Sequence, residues 1–534
     1  MKAWFRNLSI RLKLTISLSA LALVLLVTSS TVFFVRDVMY WKDMADTSDL
    51  FQYYKYNALD TWVTGNTLLA MLLELPEYAK TNYLLEFPLV FPCHMAEMRG
   101  IKRDLVKLDK ARKEADKVIE SKTKTLNNIL GIKAPDSFNV KSPVQMKLLF
   151  KLLGCKDLPS ADAANLAKAK FRHPFNARLI NLVLDIRASR TLKEKYLQVG
   201  ESAKEFKALG STNDTILYAL NPQGTDSSRQ ASREHHFWCG LQVQNIPRGK
   251  IVKGTLKANE GFYLAEVDLE QAESRDTAYI SGDLRLINAV ENSPDFHSAN
   301  ASAFFGVPFN KIYDSDLNKV LDKSLRDLAK RVNHGANYNM GAYILVETMG
   351  EANITKAQFL LNLPKSWSYI QVAEHLLAQF HKTYPSIKKV FYTGVVKEVM
   401  LTSKLQHKVV SDKAWTRYCF GNPETSKHHL NSYISHPPQA LNAQTLNKAW
   451  LAVFKELSLN PDTRDNIRVL AQIHDSILFE YRIGHEYLCH MVKELMEIPI
   501  TIKGYDEEVR TFVVPAGIKA GMEGSPAIYW SETE

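Results

Sequence analysis

The spacing of apolar residues changes character three times along the chain. Residues 14–35 form an uninterrupted apolar stretch without a charge, LTISLSALALVLLVTSSTVFFV, preceded by Lys2, Arg6, Arg11 and Lys13. That length suits a helix crossing a bilayer. A soluble, mixed pattern follows. Residues 50–75 read as a helix, and residues 82–98 as an apolar run broken by Pro88 and Pro92. Over residues 103–130, Leu105, Leu108, Ala111, Ala115, Ile119 and Leu126 recur at helical spacing, with Lys and Arg crowding the opposite face. Residues 142–208 predict several further helices. Between 210 and 260, Gly, Pro, Asn and Thr accumulate and strand-like pieces replace helices. From 262 to the end, strands and helices alternate. No internal repeat or low-complexity tract interrupts the series.

The bulk composition is that of a globular protein large enough for several domains: 534 residues, 46% apolar and 23% charged. The net charge of +10 favours a polyanionic partner, either nucleic acid or an anionic membrane surface. The five cysteines, at 93, 155, 239, 419 and 489, are odd in number, scattered and without a C-x-x-C pair. That usage points to reduced, structural thiols and no zinc site. Three readings of residues 14–35 stay open: a membrane helix with the N-terminus inside, a signal peptide and a buried core helix. The cluster Thr28-Ser29-Ser30-Thr31 lies inside the apolar run and lacks an A-x-A pattern, which argues against the signal peptide.

Two apolar, β-prone runs carry carboxylates. One is Gly261 to Asp268. The other is Leu470 to Glu480, interrupted by His474-Asp475 where a turn fits. Side by side, the two runs would bring Asp268 and Asp475 together, and two buried carboxylates repel unless cations sit between them. Magnesium takes hard oxygen ligands, usually one or two carboxylates plus substrate phosphates. Between the runs, Arg326, Lys330, His334 and Tyr338 recur every fourth residue within Ser324 to Met340 and so share one helical face. Arg and Lys on such a face suit phosphate, and Tyr suits a base or sugar. Either a lone aspartate or a cationic stripe is equally well explained as a strand cap or a solvated surface. It is the combination that points to nucleotidyl transfer with two metal ions. The glycines Gly335 and Gly341 near the stripe imply close packing there.

These segments resemble the polymerase I type (family A) of DNA polymerases, in particular divergent bacteriophage-like members, over about residues 50–534. Asp268-Leu269-Glu270-Gln271-Ala272-Glu273-Ser274-Arg275 is similar to the first palm motif of the family. The resemblance implies that Asp268 binds both Mg²⁺ ions with help from the Leu269 carbonyl, and that Glu273 excludes a ribose 2′-OH. Gln271 joins the dNTP-binding set. Asp295-Phe296-His297-Ser298 resembles the D-x-H-[ST] element that follows. Arg326, Lys330, His334 and Tyr338 match the fingers helix that grips the triphosphate, with Lys330 as the acid for departing pyrophosphate. His474-Asp475 resembles the third motif, with Asp475 as the second metal ligand and His474 near the primer terminus. Gly224 to Ser232, Leu241 to Pro247 and Pro437-Pro438-Gln439 resemble elements in which Arg229, Gln244, Asn245 and Gln439 contact primer-template DNA.

The chain departs from the family pattern at three places in the site. His334 stands where the family has Phe or Tyr, Ser476 replaces the usual Glu so that a third carboxylate is lost, and Ser435 replaces an Asn. Upstream, Tyr56-x3-Asp60 resembles the last motif of a 3′–5′ proofreading domain, but residues 1–50 lack its Asp-x-Glu partner, so proofreading is expected to be absent. The expected architecture is α/β (α+β), a right-hand polymerase with a helical thumb and an N-terminal hydrophobic helix. Its expected parts are 1–36 hydrophobic segment, 37–80 exonuclease remnant, 81–210 thumb, 211–300 palm, 301–400 fingers and 401–534 palm. The expected partners are primer-template DNA and dNTPs, with membrane contact through residues 14–35 left open and no specific protein partner indicated. The expected location is the cytoplasm of a bacterial or phage-infected cell, with anchoring by the N-terminal helix as the alternative. A single-subunit RNA polymerase, which Ser476 permits and Glu273 opposes, and a decayed, membrane-anchored nucleic-acid-binding protein are the competing functions.

Overall fold

The structure is a computed structural model that describes residues 62–67, 70, 73–133, 136–155, 160–198, 214–222, 224–233, 240–406, 408–410, 414–522 and 525–533. Residues 14–35, Tyr56 and Asp60, on which the membrane and proofreading expectations rest, lie outside these. Among the described residues no helix is long and apolar enough to cross a membrane. The chain divides into two units, Met1–Lys80 and Thr81–Glu534.

The second unit has two hydrophobic cores. The smaller is helical, built by α1 (Leu105–Leu130), α2 (Pro143–Leu152), α3 (Ala163–Arg172) and α4 (Ala177–Leu192). Asp104 caps α1 by accepting from the amides of Val106 and Lys107, and Gly131 ends it in the left-handed region at φ +69°. Leu108, Ala115 and Leu126 of the expected face are buried, whereas Leu105 in the first turn is exposed. The basic run at the end of α4 is partly structural: the Arg187 guanidinium donates to the carbonyls of Val140 (2.7 Å) and Ala161. This core runs from Leu126 to Ile186, while Leu89, Cys93 and Ala96 already belong to the larger one.

The larger core lies around a four-stranded antiparallel sheet. Its strands are β1 (Phe262–Leu269), β2 (Ile467–Ile473), β3 (Ser476–Arg482) and β4 (Ala516–Lys519), in the order β2-β3-β1-β4. β1 and β3 are buried along most of their length, which explains their nearly continuous apolar sequence. The register sets Ser476 opposite Asp268 and, on the other side, Gly517 opposite Asp268.

Helices α5 (Ala272–Ser281), α6 (Phe296–Phe305), α7 (Lys323–Asn337), α8 (Ala342–Met349) and α9 (Tyr369–Thr383) follow β1. A buried polar chain ties α5, α6, α7 and the residue that follows α9 together. Asn333 Nδ2 donates to Ser274 Oγ (3.1 Å), Asn300 Nδ2 donates to Asn333 Oδ1 (3.3 Å), and Tyr384 OH donates to Asn300 Oδ1. Each polar group is matched, as burial in a dry core demands. Helix α10 (Lys427–Val453) carries Pro437 and Pro438 in its interior and is buried through most of its second half.

Candidate active site

Asp268 and Asp475 meet as their sequence runs suggested, and the turn explains how. His474 and Asp475 form the two-residue hairpin between β2 and β3, with His474 at φ +53° and its side chain exposed. Asp475 therefore sits one residue beyond the position opposite Asp268, and its carbonyl accepts from Leu269 N (3.0 Å). Left-handed backbone is uncommon outside Gly, and His is, with Asn and Asp, among the residues that adopt it most readily, so His474 suits this hairpin position. Burial, then the charge of Glu273, raises the Asp475 carboxyl above its ordinary range.

Several cations and donors converge on these anions. Arg229 pairs with Glu273 and reaches Asp475 Oδ1 at 3.8 Å. Asn447 Nδ2 donates to the Ser228 carbonyl (2.9 Å) and pins the turn at Ser228, φ +60°, from which Arg229 projects. Asn442 Nδ2 on α10 donates to Asp475 Oδ1 (2.7 Å), and Lys519 Nζ on β4 donates to Asp268 Oδ2 (2.7 Å). Across from the sheet, α7 carries Arg326, Lys330 and His334. The Lys330 ammonium is held below the ordinary lysine value by desolvation in the cleft and then by the guanidiniums of Arg326 and Arg248. His297 on α6 is pushed down to about 3 by burial and by Arg326 and Lys330. It is thus a neutral imidazole, and its Nδ1 has no partner.

Three expectations need correction. Helix α7 ends at Asn337, so Tyr338 is a C-cap (φ −111°, ψ 22°) rather than the fourth member of a continuous helical stripe. The cause is Asn339, left-handed at φ +54°, whose amide donates to Tyr392 OH (3.1 Å) while Tyr392 donates to the Ala336 carbonyl. Tyr338 nonetheless faces Glu273 and stands edge-on to His334, with centroids 5.4 Å apart, and His334 Nδ1 lies 3.6 Å from Glu273 Oε2. Second, Arg326 does not stand free for phosphate. It binds Asp295 bidentately, Nε to Oδ2 and Nη2 to Oδ1 both at 2.8 Å, which leaves Nη1 as its remaining donor edge. Third, the Gln244 side chain is engaged within the protein: its Oε1 accepts from Ser232 N (2.9 Å) and its Nε2 donates to the Gln472 carbonyl (2.9 Å). Asn245 Nδ2 donates to Gln242 Oε1 (2.8 Å) and remains exposed, and Gln439 is half-buried on α10. At Ser476, where the family's third carboxylate is absent, the hydroxyl instead meets a buried glutamate. Ser476 Oγ donates to Glu266 Oε1 (2.6 Å), and Trp530 Nε1 donates to Glu266 Oε2 (2.9 Å).

The close packing implied at Gly335 is real, since a Cβ there would lie 2.8 Å from Met340 Sδ. Gln271, the N-cap of α5 at φ +56°, buries an Oε1 that has no partner. Sequence reasoning missed Lys519, Asn442, Glu266 and Asp276. Asp276 is fully buried and neither carboxylate oxygen has a partner. Burial, then the charges of Glu273 and Asp475, raises its carboxyl well above the ordinary value. Its single signal is an Asp at a helix position where an apolar residue would pack.

Among the described residues no three His, Cys, Asp or Glu side chains converge to cage a metal. Two carboxylates with other ligands left to water, carbonyl and phosphate oxygen fit magnesium, which keeps several waters and few protein ligands. Lys519 and Arg229 already act as stand-in cations against the same two carboxylates, so the donor set fits a divalent ion.

The buried antiparallel sheet thus presents two carboxylates at a hairpin, faced by a helix bearing Arg and Lys. The family description "DNA polymerase family A" matches residues 107–503. The chain belongs to DNA polymerase family A. It is 26% identical over 412 residues to DNA polymerase I of Helicobacter pylori strain J99, covering 74% of this chain and 39% of that protein. It is 26% identical over 437 residues to DNA polymerase I of Caldicellulosiruptor bescii, covering 78% of this chain and 45% of the relative. The chain thus spans less than half the length of these curated relatives. Its fold is similar to the POL domain of Pol1 from M. smegmatis, solved in complex with DNA primer-template and dNTP. The TM-score is 0.61 at 21% identity, over 84% of this chain and 70% of that one.

Proposed function

We propose that this chain is a template-directed DNA polymerase that adds deoxynucleotides to a primer 3′-OH by nucleotidyl transfer. The observation that carries this reading is the convergence of Asp268, Asp475, Glu273 and Arg229 at the β2-β3 hairpin, beneath the cations of α7. The helical unit around α1 to α4 is the thumb, the sheet with its packed helices the palm, and α6 to α9 the fingers.

Asp268, Asp475 and the Leu269 carbonyl would hold two Mg²⁺ ions. The chemistry such ions would supply is a lowered pKa at the primer hydroxyl and stabilisation of the charge on the leaving pyrophosphate. Asn442 keeps Asp475 turned toward the site, and Arg229 offsets the repulsion among Asp475, Glu273 and Asp268 until substrate arrives. Lys330 donates the proton to the departing pyrophosphate, since its lowered pKa brings it closer to working pH. Arg326 Nη1 and the neutral His297 offer donors to the triphosphate, and Gln271 lies beside it. His334 and Tyr338 form the wall against which the new base pair stacks, with Glu273 behind them filling the space of a ribose 2′-OH. His474 lies exposed beside the primer terminus. Arg229, Asn245 and Gln439 contact the primer-template; the Gln244 contact is indirect, through the segment it braces.

The test is extension of a primed single-stranded DNA template by the full chain with Mg²⁺ and either dNTPs or rNTPs. Templated extension with dNTPs supports the reading, and Glu273→Ala then relaxes selection against rNTPs by roughly 10- to 100-fold. Preferential use of rNTPs by the unaltered protein supports an RNA polymerase instead. Tight primer-template binding without turnover supports a binding protein.

A further inference from the structure

Lys519 is the last residue of β4, at the strand edge of the sheet, and its side chain is 43% exposed. The register places it opposite Glu266, yet its ammonium does not bind Glu266. Both Glu266 oxygens are already engaged, one by Ser476 Oγ and the other by Trp530 Nε1. The lysine instead reaches diagonally to Asp268 Oδ2 at 2.7 Å, a span that long side chains cover on one face of a sheet. Gly517, directly opposite Asp268, offers no side chain to compete for that carboxylate. The surroundings thus steer a mobile cation onto the aspartate that the proposed mechanism assigns to metal.

A divalent ion on Asp268 would sit roughly 2.0–2.1 Å from a carboxylate oxygen. An ammonium bonded to Oδ2 takes a lone pair at that position, and it repels a dication a few ångströms away. The flexible four-carbon stem of lysine lets the ammonium swing into solvent. We propose that Lys519 is a positioning residue that competes with a divalent cation for Asp268. It holds the carboxylate in place and weakens ion binding to the free protein, so that the ion loads together with nucleotide phosphate. The inference rests on the assignment of Asp268 as a metal ligand.

The experiment is Mn²⁺ binding to the full chain by electron paramagnetic resonance, without DNA or nucleotide. The proteins are the unaltered chain, Lys519→Met, Lys519→Gln, Lys519→Arg and Asp268→Asn, with melting temperatures confirming that each is folded. Removing the competing charge in Lys519→Met and Lys519→Gln should tighten Mn²⁺ binding by about fivefold, or about 1 kcal/mol, the upper range for an exposed ion pair. Lys519→Arg should stay close to the unaltered protein, and Asp268→Asn should lose the Asp268-dependent binding. Unchanged or weaker binding in both neutral variants, with binding still lost in Asp268→Asn, overturns the role of Lys519 and leaves the metal site standing. Binding that is indifferent to Asp268→Asn removes the metal assignment, and the inference with it.

Discussion

The two walls of the site hold charge in different ways. On the sheet, Asp268 and Asp475 are fixed by strand register and a two-residue hairpin, and their partners come from far along the chain: Lys519 from β4, Asn442 from α10 and Arg229 from a turn. On α7, Arg326, Lys330 and His334 are placed by helical spacing alone, and the one strong partner, Asp295, caps the neighbouring helix α6. The sheet wall is therefore fixed by its backbone, and cations and donors from distant segments offset part of the repulsion among its carboxylates. The helix wall carries the cations Arg326 and Lys330 beside an exposed His334, suited to an anion that comes and goes.

On the helix wall the largest effect should come from Lys330. Lys330→Ala should lower kcat by roughly 10²–10⁴-fold, the range for a lost general acid. The acid works only when protonated, so the rate of the unaltered enzyme should fall as pH rises through the Lys330 pKa. Because that pKa is lowered, the fall should lie below the ordinary lysine value of about 10.4, and it should vanish in the variant. Rate profiles of primer extension against pH check this; an alkaline limb that persists in Lys330→Ala assigns the proton to another group.

A smaller effect should separate the walls by stability. Asp295→Asn breaks the bidentate pair with Arg326 but keeps a capping side chain on α6. It should reduce unfolding free energy by roughly 1.5–3 kcal/mol at neutral pH. Although burial raises it, the bonds from Arg326 and Ser298 hold the Asp295 carboxyl below the carboxylate range. A group with a depressed folded pKa stabilises above its unfolded value of about 3.9 and loses that contribution as pH falls through the folded one. Urea unfolding at pH 7 and near pH 3 should therefore show the two proteins converging in acid. A constant difference would locate the loss in packing instead.

Smallest of all, Ser476→Ala removes one of the two donors to Glu266 and should cost about 1 kcal/mol of stability, read from the urea midpoint. An effect as large as that of Asp295→Asn would mean that Trp530 does not hold Glu266 by itself.

The helix wall and the two aspartates were legible because their signals are local. A four-residue repeat and an apolar run ending at a carboxylate both survive in a single sequence. The mixed α/β architecture and the helical unit over 105–192 were readable for the same reason. Lys519 was not, because its meeting with Asp268, 251 positions away, depends on a register that only the folded sheet defines. Glu266 looked like one more residue of a strand until Ser476 and Trp530 were seen to close on it. Tyr338 was misplaced by one structural step, since periodicity continues past Asn337 while the backbone turns at Asn339. Gln244 carried the right motif but its amide is consumed within the protein, which no spacing reveals.

The most direct measurement pairs catalysis with binding in Asp475→Asn. Primer-template affinity and dNTP-dependent extension would be followed on the same preparation, beside the unaltered chain. The account predicts retained DNA binding with extension reduced by roughly 10³-fold or more, several kcal/mol of lost stabilisation in the transition state. Extension that continues at an undiminished rate would contradict the assignment of the β2-β3 hairpin as the catalytic centre.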